Sequence, residues 1–219
     1  SYAATYLREE IQQEGLTRNL PAFRRFLEIA TFSQAAPLVI SNVARDAEIE
    51  RKTIEEYFSI LSDLMIGVRI PVFEKRAKRE LLKKSKFFFF DAGVFQALRP
   101  KGPLDSPEEV GGLALETLVF NELRALNAYL ALGYEIFFWR TKAKQEVDFV
   151  LYGEKGILAI EVKTSDRIRQ SDLAGLKLFR EDYPMARALL IYGGARRYQD
   201  SGVDIVPVAE FFADALSWI

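Results

Sequence analysis

Two short apolar segments in the second half of the chain constrain its fold more than any other feature of the sequence. Residues 145–151 and 157–163 are rich in Val, Ile, Leu and Phe, and a five-residue segment with two glycines separates them. Short β-branched and aromatic segments bounded by glycine are typical of strands joined by a turn. We therefore predict that an antiparallel hairpin lies at the centre of the fold.

Charged side chains interrupt both predicted strands. Asp148 lies in the first strand, and Glu161 and Lys163 lie in the second. Because residues two apart on a strand share a face, Glu161 and Lys163 point the same way, and the hairpin is expected to bring Asp148 beside Glu161. Two close carboxylates repel unless a cation lies between them, and Mg²⁺ prefers oxygen ligands. The pattern predicts a Mg²⁺ or Mn²⁺ site in which Lys163 orients or activates a water, or stabilises charge developing on a phosphate.

An acidic residue also lies on the helix that is predicted before the hairpin. Residues 112–123 have helical apolar spacing, and Glu116 lies on the apolar stripe with Leu113 and Phe120. A carboxylate on a packed helix face needs a partner.

The order of a helix glutamate, a strand aspartate and a Glu-x-Lys strand resembles the PD-(D/E)xK nuclease superfamily, which has the restriction-endonuclease-like fold. The resemblance implies a catalytic site that consists of Glu116, Asp148, Glu161 and Lys163. In that site Asp148 and Glu161 hold the metal with the carbonyl of Val162, Lys163 positions the attacking water, and Glu116 completes the shell or holds a second ion. Members of this superfamily can also keep the scaffold without cleaving, and an inactive scaffold is therefore the alternative.

Composition excludes several classes of chemistry. The 219 residues include neither cysteine nor histidine, which rules out disulfides, thiolate metal sites and Ser-His-Asp catalysis within the chain. The lack of cysteine fits a reducing cytoplasm. The net charge of −1 provides no overall basic field to attract nucleic acid. No apolar stretch of membrane-spanning length is present, and no membrane association is expected.

The first half of the sequence has the pattern of a winged helix. Residues 38–64 predict a helix-turn-helix in which Ser41 caps a short helix to Ala44, residues 46–50 form the turn and residues 51–61 form the second helix. Two further strands are predicted at residues 65–73 and 86–90. Such a domain serves either DNA binding or protein contacts, and the sequence is compatible with both functions.

Basic residues in this half are candidates for weak contacts with nucleic acid. Three glutamates, Glu50, Glu55 and Glu56, nearly cancel the charge of the second helix, and residues 74–86 hold seven basic and two acidic side chains. The candidate contacts are Arg51, Lys52, Lys75, Arg76, Lys78, Arg79, Lys83 and Lys84. The alternative for residues 74–86 is a solvated wing loop.

Short motifs along the whole chain carry a second resemblance: Tyr6-Leu7, Arg18-Asn19-Leu20, Phe90-Asp91-Ala92-Gly93, Glu116, Glu146-Val147-Asp148-Phe149 and Ile160-Glu161-Val162-Lys163. Together they resemble the C-terminal domain that follows an AAA-type ATPase module in bacterial and archaeal ATP-binding proteins. The resemblance implies an N-terminal ATPase module as partner and a chain that is a fragment of a longer protein. No G-x-x-x-x-G-K-[ST] motif is present, and no ATP site is therefore predicted within this chain.

The expected architecture is α/β, α+β overall. A helical and winged-helix domain is expected over residues 1–100, starting with a helix over residues 1–14, and a restriction-endonuclease-like mixed sheet over residues 101–219. The Pro- and Gly-containing residues 100–107 are the expected linker. The expected function is a Mg-dependent DNA-cleaving or DNA-binding module. The alternatives are an inactive scaffold that serves the ATPase as a protein-interaction or regulatory module, and oligomerisation through exposed aromatic residues.

Overall fold

The structure, a computed structural model, describes residues 19–100, 102 and 106–219. The helix predicted over residues 1–14 lies outside the described residues, as do residues 101 and 103–105 of the predicted linker. In the described part of the chain, helices accompany one three-stranded and one six-stranded sheet. The expected mixed α/β class, α+β overall, is confirmed.

The first group of elements accompanies the small sheet. These elements are α1 (Leu20–Ala30), β1 (Ala36–Pro37), α2 (Ile40–Ala47), α3 (Arg51–Asp63), β2 (Gly67–Ile70), β3 (Lys86–Phe89) and α4 (Ala92–Leu98). The strand order is β1-β3-β2, with β1 antiparallel to β3. Helix α1 begins where Pro21 lies in its first turn and the Asn19 side chain accepts the N–H of Ala22 at 3.1 Å.

The helical pair α2 and α3 differs from the prediction only at its ends. Helix α2 begins one residue before Ser41 and continues to Ala47, and the residue that ends it, Glu48, has a left-handed backbone with φ of 54°. Helix α3 buries the face that its spacing predicts. The buried residues of that face are Ile54, Tyr57, Phe58 and Leu61. They belong to an aromatic core in which Phe26 and Phe87 pack edge-on against Phe58, with ring centroids 4.8 and 5.0 Å away.

The second group of elements forms the large sheet and the helices around it. These elements are α5 (Pro107–Tyr129), β4 (Glu135–Arg140), β5 (Glu146–Gly153), β6 (Gly156–Lys163), α6 (Ala174–Asp182), β7 (Arg187–Tyr192), β8 (Tyr198–Asp200), β9 (Val203–Pro207) and α7 (Val208–Ala213). Strands β5 and β6 match the predicted hairpin, and α5 includes the helix predicted over residues 112–123. Strand β8 was not predicted, because a strand of only three residues, which are also polar, cannot show alternation.

The large sheet is mixed. Its strand order is β4-β5-β6-β7-β9-β8, in which β4, β5 and β6 are antiparallel, β6, β7 and β9 are parallel, and β8 is antiparallel to β9. The central strands are almost wholly buried, which explains their continuous apolar sequence. The face of Phe149 is covered by α5, whose Phe120 ring stacks on it with centroids 5.7 Å apart.

Residues 70–83, which include most of the predicted basic loop, pair with the outer edge of β4. Phe73 N donates to Phe138 O at 2.7 Å, and Leu82 N donates to Arg140 O at 2.9 Å. The Phe73 ring is buried against the rings of Phe137, Tyr152, Phe179 and Tyr183. We call residues 70–83 the edge segment, because the segment satisfies backbone groups that an unpaired edge strand would expose.

The described residues divide into two compact units. The first unit comprises the described residues up to Arg69 together with Lys84–Thr117, and the second comprises Ile70–Lys83 and Leu118–Ile219. The division therefore runs through α5 and assigns the edge segment to the second unit, whereas the sequence suggests a division at residues 100–107. None of the helices in the described part of the chain is long and apolar enough to cross a lipid bilayer.

Candidate functional site

The hairpin predicted from residues 145–163 is formed by β5 and β6. The ladder pairs Phe149 with Ile160 and continues to the turn between Gly153 and Gly156. Asp148 and Glu161 are the next residues on the two strands away from the turn, and there the Oδ2 atom of Asp148 accepts the N–H of Val162 at 2.9 Å. The Asp148 carboxylate thus takes the place of a backbone acceptor, which fixes it against the strand that carries Glu161.

Both carboxylates are buried, and one lysine lies beside them. Asp148 is 8% exposed and Glu161 is 7% exposed. The Nζ atom of Lys163 donates to Oε1 of Glu161 at 2.5 Å, as the shared strand face of the two residues allows. The structure therefore brings Asp148, Glu161 and Lys163 together in the second unit.

The environment of Lys163 keeps its ammonium charged. Burial on its own lowers the pKa of Lys163, but the negative charges of Glu161 and Asp148 and the hydrogen bond that Lys163 donates to Glu161 outweigh burial, and the pKa is raised above its usual value. A lysine with a raised pKa does not accept a proton near neutral pH. Of the roles predicted for Lys163, stabilisation of negative charge fits this environment, and activation of water by proton removal does not.

The fourth predicted residue, Glu116, lies in the first unit. Its Oε1 atom lies 2.6 Å from Nζ of Lys86, whose side chain is 1% exposed. Beside this ion pair, Nε2 of Gln34 donates to Oγ1 of Thr117 at 2.6 Å, and Oε1 of Gln34 accepts the N–H of Phe89 at 2.8 Å. Glu116 therefore has the partner that a carboxylate on a packed face requires, and its part in a catalytic site stays a prediction.

The carboxylate pair on β5 and β6 has the donor chemistry of a Mg²⁺ site. Across the described ranges, no three acidic side chains form a group that would hold a metal alone. Mg²⁺ usually keeps several waters and is bound through one or two carboxylates together with substrate phosphates. Asp148 and Glu161 therefore fit a divalent cation that binds together with a phosphate.

One acidic residue that the sequence did not single out also acts on Lys163. The Asp172 carboxylate raises the pKa of Lys163, after the larger effects of burial, Glu161 and Asp148. Asp172 Oδ2 accepts the N–H of Arg169 at 2.7 Å, in a capping arrangement before α6. Arg169 is not one of the Ser, Thr, Asp or Asn residues that signal a helix cap in a sequence, and the proximity of Asp172 to Lys163 depends on the fold.

The residues predicted to contact nucleic acid lie in two environments. Arg51 pairs with Glu55 at 3.1 Å on the exposed surface of α3, and Lys52 is exposed on the same helix. In the second unit, Lys75 pairs with Glu135 at 2.7 Å, and Arg79 pairs with Asp182 at 2.9 Å and with Glu181 at 3.0 Å. Arg76, Lys78 and Lys83 of the second unit and Lys84 of the first unit are exposed as well. The edge segment thus uses part of its positive charge within its own unit, and DNA contact by these residues stays a prediction.

Comparisons with known proteins find two sequence families. Residues 1–105 match a family described as "Domain of unknown function (DUF8612)", and residues 111–211 match a family described as "Domain of unknown function (DUF4143)". Among solved structures, "Crystal structure of protein VC1899 from Vibrio cholerae" is similar with 14% identity and a TM-score of 0.35, over 94% of this chain and 53% of that chain. The chain thus spans about half the length of that protein. No curated protein matches the chain.

Proposed function

We propose that the second unit is a nuclease-like module that hydrolyses phosphodiester bonds with Mg²⁺ or Mn²⁺. One observation carries the proposal: two buried carboxylates, Asp148 and Glu161, lie on adjacent strands, and the ammonium of Lys163 donates a hydrogen bond to Glu161. Burial of charged groups is unfavourable unless they are paired, and such clusters are characteristic of functional sites.

Each residue has a separate role in this proposal. Asp148 and Glu161 are the groups that hold the cation, and the bond from Val162 N–H to Asp148 sets the orientation of that carboxylate. A bound divalent cation supplies Lewis-acid charge at the phosphate and lowers the pKa of a coordinated water. Lys163, which stays protonated, is positioned to stabilise negative charge on the phosphate oxygens.

The first unit is proposed to be a winged helix that recognises DNA or a protein partner. The support is the order of its elements, α1-β1-α2-α3-β2-β3, with α2 and α3 separated by three residues and the strands gathered in one small sheet. On the resemblance described above, we propose an AAA-type ATPase module as the partner for both units.

A second candidate function is an inactive scaffold that serves as a protein-interaction module. The hydrogen bond between Lys163 and Glu161 favours it, because this bond satisfies charge inside the unit without a ligand. The ion pair of Glu116 with Lys86 favours it as well, because it gives the helix glutamate a structural role.

A cleavage assay decides between the two functions. Single-stranded and plasmid DNA are incubated with the protein in Mg²⁺ or Mn²⁺, with EDTA as the blank. We expect metal-dependent cleavage that is lost in Asp148→Asn and Glu161→Gln and kept in Glu154→Gln, a matched control on the exposed turn of the same hairpin. Cleavage that persists in Asp148→Asn, or no cleavage by the unaltered protein, would favour the scaffold.

A further inference from the structure

A cleft of about 650 Å³ opens at the carboxyl ends of β6 and β7. It is lined by two loops, one after each strand, and by the start of β8. The lining residues that matter here are Asp166, Arg167, Gly194, Tyr192, Arg196 and Tyr198. The volume lies within the range of clefts that hold small ligands, which extends from about 300 to 1,000 Å³.

Two glycines allow the loops that line the cleft to approach each other. A β-carbon at Gly193 would lie 2.0 Å from the carbonyl oxygen of Thr164, and one at Gly194 would overlap the ring of Tyr192 at 2.1 Å. The N–H of Gly193 donates to Ser165 O at 3.1 Å and joins the two loops. The shape of the cleft therefore depends on both glycines, and any larger residue at either position would open it.

The hydroxyl of Tyr192 holds the second loop in place. It donates to the carbonyl oxygen of Arg196 at 2.5 Å and accepts the N–H of Arg196 at 3.1 Å. These two bonds fix the backbone of Arg196 at the wall of the cleft. The position of Arg196 is thus set by a buried residue of the sheet.

The two arginines of the cleft carry charge that no other described residue neutralises. The guanidinium groups of Arg167 and Arg196 make no hydrogen bond or ion pair within the described ranges, and both residues are exposed. The adjacent Arg197 differs, because it lies 3.6 Å from Glu210 and over the ring of Trp218. Asp166 adds one carboxylate to the lining, and the two guanidinium groups therefore leave the positive charges in excess there.

We propose that this cleft binds one nucleotide of a single-stranded nucleic acid, with its phosphate on Arg167 and Arg196 and its base on the ring of Tyr198. Guanidinium groups match phosphate geometry, and exposed aromatic rings stack on unpaired bases. Tyr198 is 42% exposed, and its ring stands edge-on to Tyr192 with centroids 6.1 Å apart, which leaves ring surface open to a base.

The cleft is adjacent to the carboxylate site. Any role of the cleft in cleavage therefore rests on the proposed function. Lys163 pairs with Tyr192 in the register of β6 and β7, so the two residues lie at the same level of neighbouring parallel strands. A strand held at Arg167 and Arg196 would continue past Lys163 toward Asp148 and Glu161. The cleft would thus position the nucleotide that flanks the cleaved bond.

Binding without cleavage tests the cleft separately. Fluorescence anisotropy is measured in EDTA with a labelled single strand of about 12 nucleotides, within the site sizes of such proteins. We expect Arg167→Gln/Arg196→Gln to weaken binding at least about tenfold and to reduce the salt slope by about 0.7, since the two arginines share one phosphate and each phosphate contact on a single strand contributes about 0.7. The matched control Lys155→Gln/Arg169→Gln removes two exposed charges of the same unit outside the cleft and should leave both values unchanged.

Further variants separate the parts of the cleft. Tyr198→Ala should weaken binding about tenfold and Tyr198→Phe should not, because the stacking ring is kept. Tyr192→Phe should weaken binding with all charges intact, because it releases the loop of Arg196. The cleft is contradicted if the arginine pair binds like its control, if the unaltered protein does not bind the strand, or if inorganic phosphate competes as well as the unlabelled strand.

The outcomes also distinguish this inference from the proposed function. Asp148→Asn should bind the strand normally in EDTA and fail to cleave in Mn²⁺. Cleft-dependent binding by a protein that never cleaves would overturn the nuclease proposal and leave the cleft intact. Cleavage that is unaffected by the arginine substitutions would overturn the cleft and leave the nuclease proposal intact.

Discussion

Lys163 acts as a fixed positive charge beside the two carboxylates. Burial lowers its pKa, but Glu161 and Asp148 raise it by more, and the ammonium stays charged in the neutral range. A lysine whose pKa is higher in the folded than in the unfolded state stabilises the fold. This contribution is complete at pH values below the ordinary lysine pKa of about 10.4, and it is lost as the pH rises through the pKa of the folded state. The contribution of Lys163 to stability is therefore expected to be constant from neutral pH to about pH 10.

Substitution of Lys163 tests this role. We expect Lys163→Met to lower cleavage by about 10²–10³-fold, which is the effect of removing one stabilising group, while Lys163→Arg keeps more activity because the charge remains. The matched control Lys155→Met lies on the exposed turn of the same hairpin. An acidic limb in the rate profile, with an apparent pKa below about 9, that disappears in Lys163→Met would instead indicate that Lys163 removes the proton from the attacking water.

Glu116 allows a structural role and a catalytic role to be separated. Glu116→Gln removes the carboxylate that pairs with the buried ammonium of Lys86 and is expected to destabilise the fold by about 3–5 kcal/mol. Glu116→Leu/Lys86→Met replaces the pair by apolar groups and should recover most of that loss in denaturant unfolding. If the double variant is stable and cleaves DNA normally, Glu116 has no catalytic part; if it is stable and inactive, the prediction from the sequence holds.

At the level of elements, α2 ends without the glycine that commonly follows a helix. Glu48 has a left-handed backbone, with φ of 54°, and Ile49 N donates to Ala44 O at 3.0 Å in a helix-ending pattern. Glycine adopts this conformation without steric conflict, and Glu48→Gly should raise the free energy of unfolding by about 0.5–1 kcal/mol. Glu56→Gly, in the exposed middle of α3, should lower it by about 1 kcal/mol. Equal effects of the two substitutions in urea unfolding would contradict the assigned backbone.

The edge segment depends on one buried ring. Phe73 is 1% exposed and contacts four aromatic rings, so Phe73→Ala is expected to destabilise the second unit by about 3–5 kcal/mol. The control Met185→Ala removes an apolar side chain that is 71% exposed and should change the free energy of unfolding by less than about 0.5 kcal/mol. A small loss for Phe73→Ala would mean that residues 70–83 do not pack on β4.

Local patterns predicted the elements that carry the carboxylate pair. The short apolar segments and the two glycines between them indicated β5 and β6, and the spacing of Glu161 and Lys163 indicated their shared face. The packing of the edge segment against β4 could not be predicted, because residues 70–83 have no periodic pattern and their partner lies some 60 residues away, as the Lys75–Glu135 pair shows. β1 was missed for a related reason, since two residues cannot show alternation.

At the scale of the whole molecule, the chain forms two units whose limits do not follow a single break in the sequence. The edge segment lies between β2 and β3 of the first unit in sequence but belongs to the second unit. The sequence also did not indicate that Arg167 and Arg196 lie in one cleft, because they belong to separate loops that the parallel pairing of β6 and β7 brings together. Glu116 was assigned to the candidate site by resemblance, and its observed partner is Lys86.

A thermal melt with and without Mn²⁺ tests most directly the central claim that Asp148 and Glu161 hold a divalent cation. A ligand that binds the folded state stabilises it by about 2.7 kcal/mol at one hundred times its Kd, and the melting temperature of the unaltered protein should therefore rise with Mn²⁺ concentration. The account predicts the same rise in Glu154→Gln and none in Asp148→Asn. An unchanged melting temperature in the unaltered protein, or an equal rise in Asp148→Asn, would contradict it.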